Sequence, residues 1–123
     1  MPPTPPLRRG DVVRVLFRNL DPRLPTLPRH GRPALIVQDP AVQGPHLRWV
    51  MASFTTNLED RGVTRIPVHV GSPEAREMGI TRESMLCLDD LETIPPWRVL
   101  ERTGRCPFMD EVDRILRRLI ALP

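Results

Sequence analysis

The sequence contains no lysine and only two cysteines among its 123 residues, and these shortages exclude several classes of site. A phosphate-binding loop of the type Gly-x-x-x-x-Gly-Lys cannot exist without lysine, and no Gly-x-Gly-x-x-Gly motif occurs. Cys87 and Cys106 have no partner at metal-ligand spacing, and the three histidines are isolated from one another. The sequence therefore predicts neither a nucleotide-binding loop nor a zinc site.

Long apolar runs are also missing. No segment approaches the length of a membrane span, and the first nine residues lack the apolar core of a signal peptide. We therefore expect a cytoplasmic protein that does not enter a membrane. Because 123 residues support one hydrophobic core, we expect a single domain over residues 10–123 after a flexible, proline-rich segment at 1–9.

Positive charge is concentrated near the amino terminus. All 18 basic residues are arginines; residues 1–32 hold seven of them and two acids, whereas residues 33–123 hold eleven and 13 acids. The net charge is thus +5 in the first segment and −2 in the second. Clustered guanidinium groups suit a polyanion such as RNA, because their donors match phosphate geometry. A solvated basic loop is the alternative interpretation.

The 16 prolines exclude long helices before residue 107 and favour short strands. Valine-rich, continuous apolar or alternating patterns predict strands over 11–18, 33–39, 47–55, 64–70, 84–94 and 99–102. The fourth of these contains Pro67 and is predicted to lie at a sheet edge, and the fifth is predicted to bend at Asp89-Asp90.

Two helices are predicted. Ser72 and Pro73 suit a helix start and Gly79 its end, which indicates a helix of one or two turns. From Pro107 onward, one apolar stripe recurs at helical spacing and is formed by Met109, Val112, Ile115, Leu116, Leu119 and Ile120. Strands in a row followed by one terminal helix predict a small β-barrel with a C-terminal α-helix.

Four segments form an ordered set of motifs. They are Arg9-Gly10-Asp11-Val12-Val13, the run Gly31-Arg32-Pro33-Ala34-Leu35-Ile36-Val37-Gln38, the run Phe54-Thr55-Thr56-Asn57-Leu58, and Gly79-Ile80-Thr81-Arg82-Glu83-Ser84. In order and spacing, the sequence from Arg8 to Leu122 resembles the MazF/PemK family of toxins from bacterial toxin–antitoxin systems.

The resemblance implies a mainly β fold, an SH3-like small β-barrel with a C-terminal α-helix, assembled as a homodimer. It implies a sequence-specific endoribonuclease that needs no metal or other cofactor. Such an enzyme cleaves single-stranded RNA to a 2′,3′-cyclic phosphate and a 5′-hydroxyl, and thereby inhibits translation and growth. The implied partner is an antitoxin whose acidic carboxy-terminal tail blocks the site.

By the same resemblance, Arg32 and Thr55 are the catalytic residues. In-line attack by the 2′-hydroxyl builds negative charge on the phosphoryl oxygens, and a guanidinium with a nearby hydroxyl can stabilise that charge without a metal. The residues that flank this pair in sequence are the predicted RNA contacts, namely Arg23, Arg29, His30, Thr56 and Asn57.

One position departs from the family pattern. A glutamate usually lies in the loop shortly before the catalytic arginine, but Leu27 lies near its place in this sequence. His30, two residues before Arg32, is the nearby side chain that titrates near neutrality, so we hypothesise that it acts as the base.

Two other functions stay open at this point. Toxins that poison gyrase share the fold and act through large apolar residues in their carboxy-terminal tail, whereas the tail here, residues 119–123, has no aromatic residue. The other alternative is a catalytically silent SH3-like binding module, which the missing loop glutamate permits.

Overall fold

The computed structural model describes residues 6–16, 31–44, 48–59 and 61–123. Within these ranges the chain forms six strands and two α-helices. The elements are β1 (Asp11–Val15), β2 (Arg32–Ile36), β3 (Trp49–Thr55), β4 (Arg65–Val68), α1 (Pro73–Met78), β5 (Ser84–Ile94), β6 (Val99–Arg105) and α2 (Met109–Leu119). Each predicted strand and each predicted helix corresponds to one of them.

The strands form one antiparallel sheet with the order β4-β5-β3-β2-β1-β6. The predicted class, a mainly β fold with a C-terminal helix, is confirmed, and so is the edge position of the strand that contains Pro67. The sheet differs from a closed barrel, because β4 and β6 are its two edges and do not pair within the described ranges. Helix α1, which follows β4, packs against β6 instead.

Both faces of the central strands are buried. Val12, Leu35 and Ala52 belong to a core cluster that α2 covers with Val112 and Ile115. The alternate residues of the same strands form a second cluster, which consists of Val13, Val15, Ala34, Ile36, Trp49, Met51 and Ile94. This arrangement confirms the prediction that the second strand is buried on both faces, and it explains why its sequence is continuously apolar.

Strand β5 has a register shift where the sequence predicts a bend, and an irregularity of this kind bends a strand. Its pairing with β3 shifts from Ala52 opposite Leu91 to Ser53 opposite Cys87, which leaves residues 88–90 without partners on β3. The Ser53 hydroxyl lies 2.6 Å from Oδ2 of Asp90 and ties the bend to β3. Both halves of β5 therefore pair with β3, but only the first half also pairs with β4.

Helix α1 has the predicted ends. The Ser72 side chain accepts a hydrogen bond from the Ala75 amide, and Gly79 ends the helix at a φ of 72°. The helix then docks on β6 at close range. A Cβ on Gly104 would lie 1.9 Å from the Glu77 carbonyl oxygen, and the Thr103 hydroxyl lies 2.8 Å from the Met78 carbonyl oxygen. Only glycine at position 104 permits this approach.

A buried carboxylate holds the start of β1 against β6. Asp11 is fully buried, and its two oxygens accept from Arg105 Nη1 at 2.6 Å, from Arg102 Nη1 at 3.4 Å and from the Arg8 amide at 2.9 Å. The neighbouring Arg9 donates to the Val37 carbonyl oxygen at 2.9 Å. The first sequence motif thus contributes to the structure rather than to a surface site.

Two expectations concern the amino terminus and membranes. Residues 1–5 lie outside the described ranges, so the flexibility of segment 1–9 stays a prediction; Leu7 packs against the second core cluster. Neither helix of the described residues combines the length and apolar content that a membrane crossing requires.

We expect Asp11→Ala to lower the free energy of unfolding by about 2–4 kcal/mol, because it leaves two guanidinium groups and an amide without their acceptor. Urea denaturation at neutral pH measures this loss as a lower midpoint with an unchanged slope. The matched control is Glu111→Ala, which removes an exposed pair with Arg114 and should cost less than about 0.5 kcal/mol. Equal losses in the two variants would contradict the structural role of Asp11.

Candidate active site

A cavity of about 710 Å³ opens at the ends of the central strands. This volume lies within the range of roughly 300–1,000 Å³ that is usual for ligand sites. Strands β1, β2, β3, β5 and β6 contribute to its walls, together with the segment between α1 and β5. The lining residues are Arg14, Gly31, Arg32, Pro33, Phe54, Thr55, Thr56, Gly79, Ile80, Thr81, Arg82, Ser84 and Thr103.

The structure brings the two predicted catalytic residues to this one cavity. Arg32 is the first residue of β2 and Thr55 the last residue of β3. The last paired residues of these strands are Ala34 and Ser53. Continuing the antiparallel register by two residues puts Arg32 opposite Thr55. Two residues that are 23 positions apart in sequence thus line the same cavity.

Gly31 fixes the chain direction immediately before Arg32. Its φ is 65°, and a Cβ there would lie 2.8 Å from the Val15 carbonyl oxygen and 3.0 Å from a methyl carbon of Leu100. A side chain at this position would clash with backbone that cannot move away, so glycine is required. The backbone of Arg32 is therefore anchored against β1, where it pairs with Val15.

The Thr55 hydroxyl is oriented by the turn that follows β3. Its Oγ1 accepts a hydrogen bond from the Asn57 amide at 3.1 Å, and Asn57 Oδ1 in turn accepts from the Glu59 amide at 3.1 Å. Since Oγ1 acts as the acceptor in this turn, the hydroxyl proton is free to be donated to an anion in the cavity.

The remaining predicted contacts divide into two groups. Thr56 lines the cavity beside Thr55, whereas Asn57 is not a lining residue and uses its side chain in the turn. Arg23, Arg29 and His30 lie outside the described residues, as does Leu27, so their contacts with RNA stay predictions.

Sequence reasoning missed Arg14 and Arg82, which also line the cavity. Arg14 interrupts the valine run of β1 and lies opposite Pro33 of β2. Arg82 belongs to the fourth sequence motif, Gly79-Ile80-Thr81-Arg82-Glu83-Ser84, which supports the family resemblance but contains no predicted site residue. For Arg14, the sequence does offer a signal, because a charged residue interrupts an otherwise apolar strand. The position of Arg82 depends on how α1 docks and has no such signal in the sequence.

The cavity is electropositive. Its lining includes three arginines and five hydroxyl-bearing residues, and no carboxylate is among the lining residues of the described chain. Arg14 Nε donates to Glu101 Oε1 at 2.9 Å, so part of its charge is balanced. Neither Arg32 nor Arg82 pairs with a carboxylate of the described residues. Such a cavity favours a ligand with several anionic oxygens.

Neither cysteine belongs to the cavity lining. Both are buried, and burial raises the pKa of the Cys106 thiol to about 11, while the hydrogen bond from Phe108 and the nearby Arg105 act in the opposite direction. At neutral pH this thiol is protonated and therefore a weak nucleophile. In the described ranges no three His, Cys, Asp or Glu side chains cluster as metal ligands would; the expectation of metal-free chemistry stays a prediction.

Comparison with known sequences gives a match over almost the whole chain. A family model described as PemK-like, MazF-like toxin of type II toxin-antitoxin system matches residues 8–122. The protein named Endoribonuclease EndoA from Bacillus subtilis (strain 168) is 26% identical over 118 residues, which are 94% of this chain and 96% of that protein.

Solved structures share the fold. An endoribonuclease from Mycobacterial species has a TM-score of 0.66 at 19% identity, over 98% of this chain and 96% of its own. A second mycobacterial endoribonuclease, in complex with its cognate antitoxin, has a TM-score of 0.65 at 21% identity, over 97% and 98% of the two chains. The family match, the motif order and the shared fold agree: the chain belongs to the PemK-like, MazF-like toxins of type II toxin–antitoxin systems.

Proposed function

We propose that this chain is a sequence-specific, metal-independent endoribonuclease whose site is the cavity at Arg32 and Thr55. The observation that carries the proposal is the composition of that cavity, which has three arginines, five hydroxyl-bearing residues and no carboxylate among its described lining residues. A relative carries the name Endoribonuclease EndoA. An electropositive cavity with many donors suits the phosphodiester backbone of single-stranded RNA.

The reaction is an internal displacement in the RNA. The 2′-oxygen attacks the adjacent phosphorus, the bond from phosphorus to the 5′-oxygen breaks, and the leaving oxygen takes up a proton. The products are a 2′,3′-cyclic phosphate and a 5′-hydroxyl. Negative charge grows on the non-bridging oxygens during the attack, and the Arg32 guanidinium and the Thr55 hydroxyl donate hydrogen bonds to them.

Proton transfer needs further groups. A guanidinium stays protonated in proteins, so Arg32 donates hydrogen bonds but does not accept the 2′-hydroxyl proton. The described lining residues include no histidine and no carboxylate. His30, which precedes Gly31 and Arg32 in sequence, remains our hypothesis for the base.

The proposed substrate contacts extend beyond the reacting phosphate. Thr56 lies in the lining and can donate to the RNA backbone, and Arg23, Arg29, His30 and Asn57 are the further predicted contacts. The same cavity suits the acidic carboxy-terminal tail of a cognate antitoxin, because carboxylates compete with phosphates for guanidinium groups. Cleavage of cytoplasmic RNA would inhibit translation and growth until such a tail binds.

We expect a homodimer in solution. Large apolar side chains are exposed on two separate parts of the chain, with Trp97 74% exposed and Ile120 and Leu122 58% and 57% exposed, and a symmetric dimer can bury such residues. Sedimentation equilibrium at micromolar concentration should give twice the chain mass of 14.1 kDa. A single species of 14.1 kDa over that concentration range would contradict this expectation.

Substitutions at the two catalytic positions test the proposed function. In excess EDTA we expect the parent protein to cleave RNA, and Arg32→Ala to be slower by at least about tenfold, since one preorganised donor contributes a few kcal/mol to catalysis. Arg32→Lys keeps the charge but loses the two-pronged hydrogen-bonding geometry, so its loss should be similar. Thr55→Val keeps the β-branched shape, removes the hydroxyl and should also be slower.

The matched control for these rates is Arg48→Ala, which removes an exposed arginine outside the cavity and should cleave at the parental rate. Urea denaturation of each variant shows whether the fold is intact. If EDTA abolishes cleavage, or if Arg32→Ala cleaves as fast as Arg48→Ala, the proposed site is wrong. Inhibition of DNA supercoiling without RNA cleavage would instead favour the gyrase-directed alternative.

A further inference from the structure

We propose that Arg82 binds a second phosphate of the RNA, next to the one that is cleaved, and so positions the substrate without taking part in the reaction. This inference rests on the proposed function, because it assigns a residue to the same cavity. Arg82 lies in the segment between α1 and β5, whereas Arg32 and Thr55 lie on β2 and β3. Arginine residues on different elements therefore line one cavity.

The segment that carries Arg82 is held at both ends. At its start, the Ile80 amide donates to the Ala75 carbonyl oxygen at 2.8 Å, and a Cβ on Gly79 would lie 2.7 Å from the Thr103 carbonyl oxygen. At its end, the hydroxyl of Ser84, a residue only 4% exposed, donates to the Arg82 carbonyl oxygen at 2.8 Å. A ligand does not have to order this backbone, which lowers the entropic cost of binding.

The carboxylate of Glu83, which follows Arg82 in sequence, binds groups other than Arg82. Glu83 Oε1 accepts from the Val70 amide at 2.7 Å, and Glu83 Oε2 lies 3.2 Å from His69 Nδ1. This carboxylate is therefore bound to the end of β4, while Arg82 and Ser84 line the cavity. Within the described ranges no carboxylate pairs with the Arg82 side chain, so its charge is available to an external anion.

The chemistry of single-stranded RNA matches two guanidinium groups on different walls. The strand presents one phosphate at every nucleotide, so a chain whose cleaved phosphate lies at Arg32 brings a neighbouring phosphate to another wall of the cavity. Contacts to phosphates fix the register and orientation of a nucleic acid but carry no sequence information. Arg82 should therefore contribute to affinity equally for all RNA sequences.

Binding to an RNA that cannot be cleaved tests this role separately from catalysis. The probe is a mixed-sequence oligonucleotide with 2′-O-methyl groups, titrated from 0.05 to about 0.5 M salt, a range over which phosphate contacts are strongly weakened. For Arg82→Ala we expect the slope of log affinity against log salt to fall in magnitude by about 0.7, which is about fivefold in affinity per tenfold change in salt.

Two variants control for charge and for folding. Arg76→Ala removes the same charge from an exposed position on α1 that does not line the cavity, and it should leave the slope unchanged. Arg82→Lys keeps a point charge and should keep most of the slope. If Arg82→Ala and Arg76→Ala give the same slope, or if Arg82→Lys behaves like Arg82→Ala, the proposal is overturned.

Cleavage kinetics distinguish positioning from catalysis. For Arg82→Ala we expect KM to rise several-fold while kcat changes by less than about twofold, whereas Arg32→Ala lowers kcat. Sequencing of the new RNA ends should give the parental cleavage sites. A loss of kcat as large as that of Arg32→Ala, or a new cleavage motif, would overturn the proposal. If the parent binds the probe with the slope that depends on Arg82 but cleaves no RNA, the proposed function fails and the phosphate contact stands.

Discussion

The antiparallel register between β2 and β3 is the constraint on which the candidate site depends. Leu35 and Ala52 face one core cluster, and Ala34, Ile36 and Met51 face the other, so a shift of one residue would exchange every buried side chain between the two faces. Because closely packed clusters tolerate an exchange of side chains of different size poorly, the register is strongly fixed. The same register brings the residues before Ala34 opposite those after Ser53, and this is why an arginine and a threonine that are distant in sequence line one cavity.

The sequence predicts the structural features that depend on residues close to one another in the chain. Helix α1 was predictable because its serine cap, its first proline and its terminal glycine act within one short segment, and the bend of β5 was predictable because two adjacent aspartates interrupt an apolar run. The pairing of Arg32 with Thr55 came from the motifs of the family resemblance. The place of Arg82 was not predictable, since it depends on α1 docking against Gly104 and Thr103 of β6, a long-range contact that no local pattern encodes.

Arginines that pair with a carboxylate and arginines without such a partner in the described ranges have different roles in this lysine-free chain. Arg102 and Arg105 bind the buried carboxylate of Asp11 and connect β6 with the start of β1, which supports the wall of the cavity that Thr103 and Arg14 line. Arg32 and Arg82 have no such partner within the described ranges and line the cavity. An arginine-rich composition alone predicts a polyanion partner only weakly. The cavity suits phosphates because two of its arginines have no carboxylate partner within the described ranges.

The central claim is that the RNA supplies its own nucleophile while the protein stabilises charge on the phosphate. The most direct measurement is the chemical identity of the ends that the purified protein produces from a defined single-stranded RNA in excess EDTA. We predict a 2′,3′-cyclic phosphate on the upstream fragment and a 5′-hydroxyl on the downstream fragment. A 5′-phosphate on the downstream fragment would contradict it, because that end requires attack by water from outside the RNA and cleavage of the bond between phosphorus and the 3′-oxygen.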